Sequence, residues 1–245
     1  PSWNNYYVLQ KYSIPSEVCH HGYIKYDKEY KQIDKISELK DNYVFYNINT
    51  FTQRKNIEIL IECFELLNET FPSTRLVLKI DKHIEVNNKN IILINEYIDE
   101  AQMSYIHDIC DCFVSTSYSE GVGLSMLEAA AHGNTIITNA FSGILEYIPY
   151  ALVCNFMLDN IDDNYIFYDS KQVWGSIIKE EVYNKMKYAF NNKNELKTIN
   201  NLVTSHLNEF NKDLPLHVFN KTESKKYQFC SENVYCEYYD KYLNI

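Results

Sequence analysis

The sequence predicts an α/β fold, a parallel sheet with helices on both faces. Two observations carry this expectation. Between residues 43 and 138, apolar runs of strand length alternate with stretches of helical period, which is the pattern of strands joined by helical crossovers. One unit, Cys112 to Thr138, shows the alternation most plainly. An apolar run (Cys112, Phe113, Val114) enters a polar turn ending in Glu120-Gly121-Val122-Gly123. A helix-like run from Leu124 to His132 follows, then Gly133, then a second apolar run (Thr135, Ile136, Ile137). The chain has six glycines, and three of them lie in this unit.

The elements follow in order. Residues 4–12 read as a short helix and residues 16–40 as a linker. Tyr43–Asn49 is strand-like. From Asn56 to Phe71, the spacing of Ile57, Leu60, Ile61, Phe64 and Leu67 gives a helix, stopped by Pro72. Leu76–Ile80 and Ile91–Ile94 are apolar runs of strand length. Asp99 is placed to cap a helix reaching Ile109. After the 112–138 unit, Ile144–Tyr147 reads as a helical turn ended by Pro149. The stretch "NFMLDNIDDNYIFYD" is polar and aromatic and reads as a surface loop. Val173–Phe190, residues 195–210 and Glu232–Leu243 read as helices.

Composition excludes several classes. At 245 residues, 46% hydrophobic and 23% charged, the chain has the balance of a globular protein. Its net charge of −10 argues against nucleic acid as a partner, since phosphate binding requires a basic face. No apolar run has the length of a transmembrane segment. Seven cysteines are scattered without paired spacing. That fits a reducing compartment, so a cytoplasmic location is expected.

The glycine turn carries the chemistry. Glycines ahead of a helix let backbone N–H groups approach an anion, and the helix N-terminus adds partial positive charge. Glu120 precedes the helix and Glu128 lies on its second turn. A carboxylate at Glu128 can accept two vicinal hydroxyls, as on a ribose, and Glu120 can reach a second polyol beyond the anion. Lys55, in a turn between a strand and a helix, can neutralise a departing diphosphate. Read without further information, the same residues are a solvated turn and two surface glutamates. Gly133 and Gly143 read as structural, and His132 as a cap on helix carbonyls. His20 and His21 lack a third partner to make a metal site.

Glu120 through Glu128 resembles the E-x7-E signature of the retaining glycosyl transferases group 1 family, of GT-B fold. The surrounding "DICDCFVSTSYSEGVGLSMLEAAAHGNTIITNAFSGILEYI" is similar to that family's strand–loop–helix–strand block. "YVFYNINTFTQRKNIEILIECFELLNETFPSTRLVLKI" resembles its earlier strand, basic turn and helix. "INEYIDEAQMSYIHDICDCFV" resembles the piece between, and "FCSENVYCEYYDKYL" the last helix. The blocks stand in the family's order.

The resemblance implies a Rossmann-like sheet forming the C-terminal, donor-binding half of a GT-B enzyme. Residues 1–24 would then be the tail of an N-terminal domain and its linker, and residues 25–245 the nucleotide-sugar-binding domain with its C-terminal helices. It implies catalytic roles for Glu120, which would orient the transferred sugar, and Lys55, which would stabilise the leaving group. Donor contacts would come from Glu128, from the backbone of Gly121, Val122, Gly123 and Leu124, from Thr50, and from Tyr97 and Ile98 after the third strand. Lys55 matches the family's lysine. The family's arginine position falls on Thr50, and Arg54 is out of register with it. No D-x-D pair occurs, so neither a metal nor another cofactor is expected. The expected partners are a nucleotide-sugar, an acceptor and an N-terminal acceptor domain. Transfer with retention is the first reading. A nucleotide-sugar epimerase and a non-catalytic nucleotide-sugar-binding module are the alternatives.

Overall fold

A computed structural model describes residues 3–15, 29–139, 141, 143, 148, 151–161, 172–201, 203–205 and 207. Helix α1 (Trp3–Lys11) comes first. The α/β body then runs β1 (Tyr43–Ile48), α2 (Ile57–Thr70), β2 (Thr74–Lys79), β3 (Ile91–Ile94), α3 (Glu100–Ile109), β4 (Cys112–Val114), α4 (Leu124–Ala131), β5 (Thr135–Asn139) and β6 (Leu152–Cys154). A hairpin of β7 (Phe156–Asn160) and β8 (Val173–Ile177) follows, then α5 (Lys179–Asn191).

Six strands form one parallel sheet in the order β3-β2-β1-β4-β5-β6. Alternation along the strands sorts the core onto two faces. Val44, Tyr46, Val77, Phe113 and Ile136 face one cluster with Tyr105 and Ile106 of α3 and Met126, Leu127 and Ala130 of α4. Tyr43, Phe45, Leu76, Leu78, Val114 and Ile137 face the other, with Leu60, Phe64 and Leu67 of α2 and Val182, Met186 and Ala189 of α5. Both faces are covered, as an all-parallel sheet requires. The expected fold class is therefore the observed one.

Local signals act as the chemistry dictates. Asp99 accepts from the Gln102 N–H at 2.9 Å, and the Asp99 N–H donates to Gln102 Oε1 at 3.1 Å. This reciprocal cap contributes about 0.5–2 kcal/mol to α3. Gly133 takes φ 85° just past α4, where a Cβ would be strained.

Two expectations are corrected. The segment from Asn155 is not wholly loop, because Phe156–Asn160 is a strand. Val173–Phe190 is not one helix: Val173–Ile177 pairs antiparallel with β7, Phe156 opposite Ile177, and the helix begins at Lys179. The cause is tertiary. Trp174 packs with Phe141 and Ile161 in a small separate cluster. At Gly175 a Cβ would stand 2.5 Å from Phe141 Cβ, so only glycine lets the strand approach. Helical backbone resumes at 193–201, and the expected helix over 195–210 is described there and at 203–205 and 207. The expectations for His20 and His21, Ile144–Tyr147 and Glu232–Leu243 lie outside the described residues, as does the 16–28 part of the expected linker.

Candidate functional site

In this sheet β1 and β4 are neighbours whose chains leave in opposite directions, β1 toward β2 and β4 toward β5. Such a switch point opens a crevice at the carboxyl ends of the strands. The segment after β1 brings Asn49, Thr50 and a tight turn, Gln53–Lys55. The segment after β4 brings the loop 115–123.

Hydrogen bonds tie the two together. Asn47 Nδ2 donates to the Val114 carbonyl at 2.6 Å, and Thr116 Oγ1 to the Asn56 carbonyl at 2.7 Å. The Tyr118 N–H donates to the Arg54 carbonyl at 2.9 Å.

The outcome is an ion triad. Lys55 Nζ pairs with Glu120 Oε1, and Arg54 Nη1 lies 3.4 Å from Glu120 Oε2. Arg54 also donates to the Ser119 carbonyl. The side chains of Lys55 and Glu120 are 12% and 11% exposed. Burial pulls the Lys55 ammonium below its ordinary range, and Glu120 opposes that shift.

A cavity of about 330 Å³ opens here. Of the sequence-predicted residues, Lys55, Glu120, Val122, Gly123 and Leu124 line it. Gly123 is the N-cap of α4 with φ 73° and gives no side-chain cap. The first-turn N–H groups of α4 therefore have no capping side chain, and the positive end of the helix lies at the cavity.

The remaining predicted residues are placed otherwise. Thr50 and Gly121 are exposed near the cavity without being among its lining residues. Tyr97 is 94% exposed and Ile98 is buried in the core; both follow β3, the edge strand two places from β1. Glu128 sits on the second turn of α4, with Oε2 3.6 Å from Nε2 of the buried His107, and is not a lining residue.

Asn49, Phe113, Ser125 and Met126 also line the cavity. Sequence reasoning passed over them. Asn49 follows β1 directly and Ser125 opens α4, so their positions at element ends were the available signal. His132 caps as expected, its Nδ1 2.9 Å from the Glu128 carbonyl.

No helix among the described residues is long and apolar enough to cross a membrane. The described cysteines, Cys63, Cys110, Cys112 and Cys154, are free and buried.

Comparison with known proteins agrees with this architecture. The uncharacterized glycosyltransferase MJ1059 of Methanocaldococcus jannaschii is 28% identical over 119 residues, 46% of this chain and 28% of that protein. The chain thus spans less than a third of that relative. Sucrose-phosphate synthase from Thermosynechococcus elongatus superposes at a TM-score of 0.62 with 14% identity, over 89% of this chain and 55% of that one. WaaG, a glycosyltransferase involved in lipopolysaccharide biosynthesis, superposes at 0.57 with 15% identity, over 80% and 54%. The C-terminal domain of a glycosyl transferase group 1 family protein from Francisella tularensis superposes at 0.50 with 17% identity, over 74% and 91%. At these identities the structures speak to the fold, a Rossmann-like sheet of GT-B type. The family model for glycosyl transferases group 1 matches residues 27–151, about half of the sequence and the whole of the ion triad and its cavity, and the chain belongs to that family.

Proposed function

We propose that this chain binds the nucleotide-sugar donor of a retaining glycosyltransferase and needs no metal to do so. The observation that carries the reading is the ion triad at the N-terminus of α4. A largely buried lysine and the helix entry, whose first-turn N–H groups have no capping side chain, line one cavity, and an arginine shares the carboxylate that holds the lysine. That convergence suits a diphosphate, whose charge they would stabilise as it leaves. In the absence of a donor Lys55 is held by Glu120. On binding, the ammonium would turn to the diphosphate and Glu120 would orient the sugar. Glu128, on the next turn of α4, would accept the ribose hydroxyls. Lys55 and the helix would supply the positive charge that a divalent ion supplies elsewhere.

The acceptor would be held by a second domain. In support, the chain covers about half of the sucrose-phosphate synthase and WaaG structures and most of a structure that is a C-terminal domain. A reducing, cytoplasmic setting fits the buried free thiols.

The test is ligand binding by thermal shift and calorimetry with UDP-, GDP- and ADP-sugars, in EDTA and in Mg²⁺. A ligand at about a hundred times its Kd should stabilise by about 2.7 kcal/mol, with equal Kd in both buffers. Silence with all three donors would refute donor binding. A loss in EDTA of tenfold or more, about 1.4 kcal/mol, would refute metal independence.

A further inference from the structure

Beneath α4 lies a buried polar chain that the donor site does not explain. Tyr46 of β1, His107 of α3 and Asn134 before β5 are all nearly or wholly inaccessible to solvent. Tyr46 Oη lies 2.7 Å from His107 Nδ1. Asn134 Nδ2 lies 2.7 Å from Tyr46 Oη and 2.7 Å from the His107 carbonyl. His132 stacks on the His107 ring, centroids 4.9 Å apart and planes at 22°. The other imidazole nitrogen of His107, Nε2, is buried without a hydrogen bond among the described residues. It points at Glu128, 3.6 Å from Oε2.

The proton positions follow from what each group can do. The His107 carbonyl can only accept, so the amide nitrogen of Asn134 faces it and donates to it. The second N–H of that same nitrogen then donates to Tyr46 Oη. Burial keeps the Tyr46 phenol protonated. A proton on His107 Nδ1 would give the phenol two incoming donors and leave its own proton unsatisfied in the core. The phenol therefore donates to Nδ1, and the imidazole proton resides on Nε2, aimed at the Glu128 carboxylate.

We propose that His107 is a positioning residue for Glu128. It donates Nε2–H to one carboxylate oxygen when a nucleotide is bound and leaves the other oxygen for the ligand hydroxyls. The proposal rests on the reading of Glu128 as a ribose acceptor. At 3.6 Å the contact stands just outside hydrogen-bond range, so a small rotation of the glutamate completes it. His132, donating to the Glu128 carbonyl at 2.9 Å, fixes the backbone from which that side chain swings.

Two measurements decide it. In protein labelled with 15N-histidine, the His107 ring should show the Nε2–H tautomer, and the Nε2 resonance should move in Glu128→Gln. A double-mutant cycle with UDP, GDP and ADP as probes comes second. His107→Leu should weaken binding about tenfold, the scale of coupling between contacting residues. His107→Gln, which keeps a donor near the Nε2 position, should retain most of the affinity. In the Glu128→Gln background, His107→Leu should change little. Unchanged binding in Glu128→Gln would refute the reading of the site. An Nδ1–H tautomer, or an equal loss from His107→Leu in both backgrounds, would refute the positioning role alone.

Discussion

Replacing Glu120 by glutamine should cost the fold more than replacing Lys55 by methionine, although both break the same ion pair. One carboxylate serves two cations here. Lys55 engages Oε1, and Arg54 stands 3.4 Å from Oε2. At an effective dielectric of about 20, a pair at that 3.4 Å separation attracts by roughly 5 kcal/mol before desolvation is counted. Removing one member of a buried pair leaves the other uncompensated, typically at about 3–5 kcal/mol.

Glu120→Gln removes both attractions and leaves two cations facing each other, so a loss of about 3 kcal/mol is expected. Lys55→Met leaves Glu120 paired with Arg54 and fills the space of the lysine stem. Burial already disfavours the ammonium at this position, so a loss of about 1 kcal/mol is expected. Urea denaturation at pH 7 reads both, provided the slope with denaturant is unchanged. A Lys55→Met variant as unstable as Glu120→Gln, or more so, would show that Arg54 does not share the carboxylate.

The two glutamates should also fail differently toward ligand: Glu128→Gln should weaken a free nucleoside diphosphate by about tenfold. Glu120→Gln should leave that affinity unchanged or improved, because Lys55 is released, while weakening the nucleotide-sugar; calorimetry showing equal losses of diphosphate affinity in both would refute the division of roles. Asp111 accepts the Val44 N–H at 2.7 Å, and burial raises its carboxyl above the ordinary value of 3.8. The ionised form is thus disfavoured in the fold, so the destabilisation is absent below pH 3.8 and grows as pH rises through the higher folded value. Asp111→Asn keeps the acceptor and should raise Tm at pH 7 but not at pH 3; an increase of the same size at both would refute this. The chain by itself should bind donor yet transfer sugar negligibly, because positioning an acceptor contributes roughly 7–11 kcal/mol. Supplying an acceptor-binding domain should restore transfer, and robust transfer without one, followed by product chromatography, would overturn the division between domains.

Much of the sheet is legible in the sequence because its signals are local. The continuous apolar run of β1, the periodicity of α2 ending at Pro72, and the Asp99 cap each act within a few residues. The hairpin was not legible. β7 is largely exposed, runs from three apolar residues into Asp159-Asn160, and its pairing with β8 is backed by Phe141 and Tyr118 reaching the hairpin from elsewhere in the chain.

The same division holds at the site. Lys55 and Glu120 announce themselves by residue type beside a turn and a helix entry. Their union across 65 positions is a property of strand order. Asn49, Phe113 and Met126 carry no chemical signal, and they line the cavity because β1, β4 and α4 converge. Tyr97 stands after the edge strand β3, away from the residues that line the cavity. Arg54 was out of register with the family's arginine, but the turn that carries it folds back toward Glu120.

Much of the path of the loop bearing Glu120 is set through its main chain. The Ser115 N–H donates to the Ile137 carbonyl, the Tyr118 N–H to Arg54, the Gly175 N–H to the Tyr118 carbonyl, and the Gly143 N–H to the Glu120 carbonyl. Asn139 and Arg54 side chains hold the Ser117 and Ser119 carbonyls. Of the loop's own side chains, Thr116 adds its bond to the Asn56 carbonyl, Tyr118 its packing on Trp174 and Glu120 its ion pairs. Such a loop has room to drift over generations: Ser115, Ser117 and Ser119, held through their main chain, can be exchanged, and a pocket reshaped for a different sugar, while the curve that presents the carboxylate stays where its neighbours hold it.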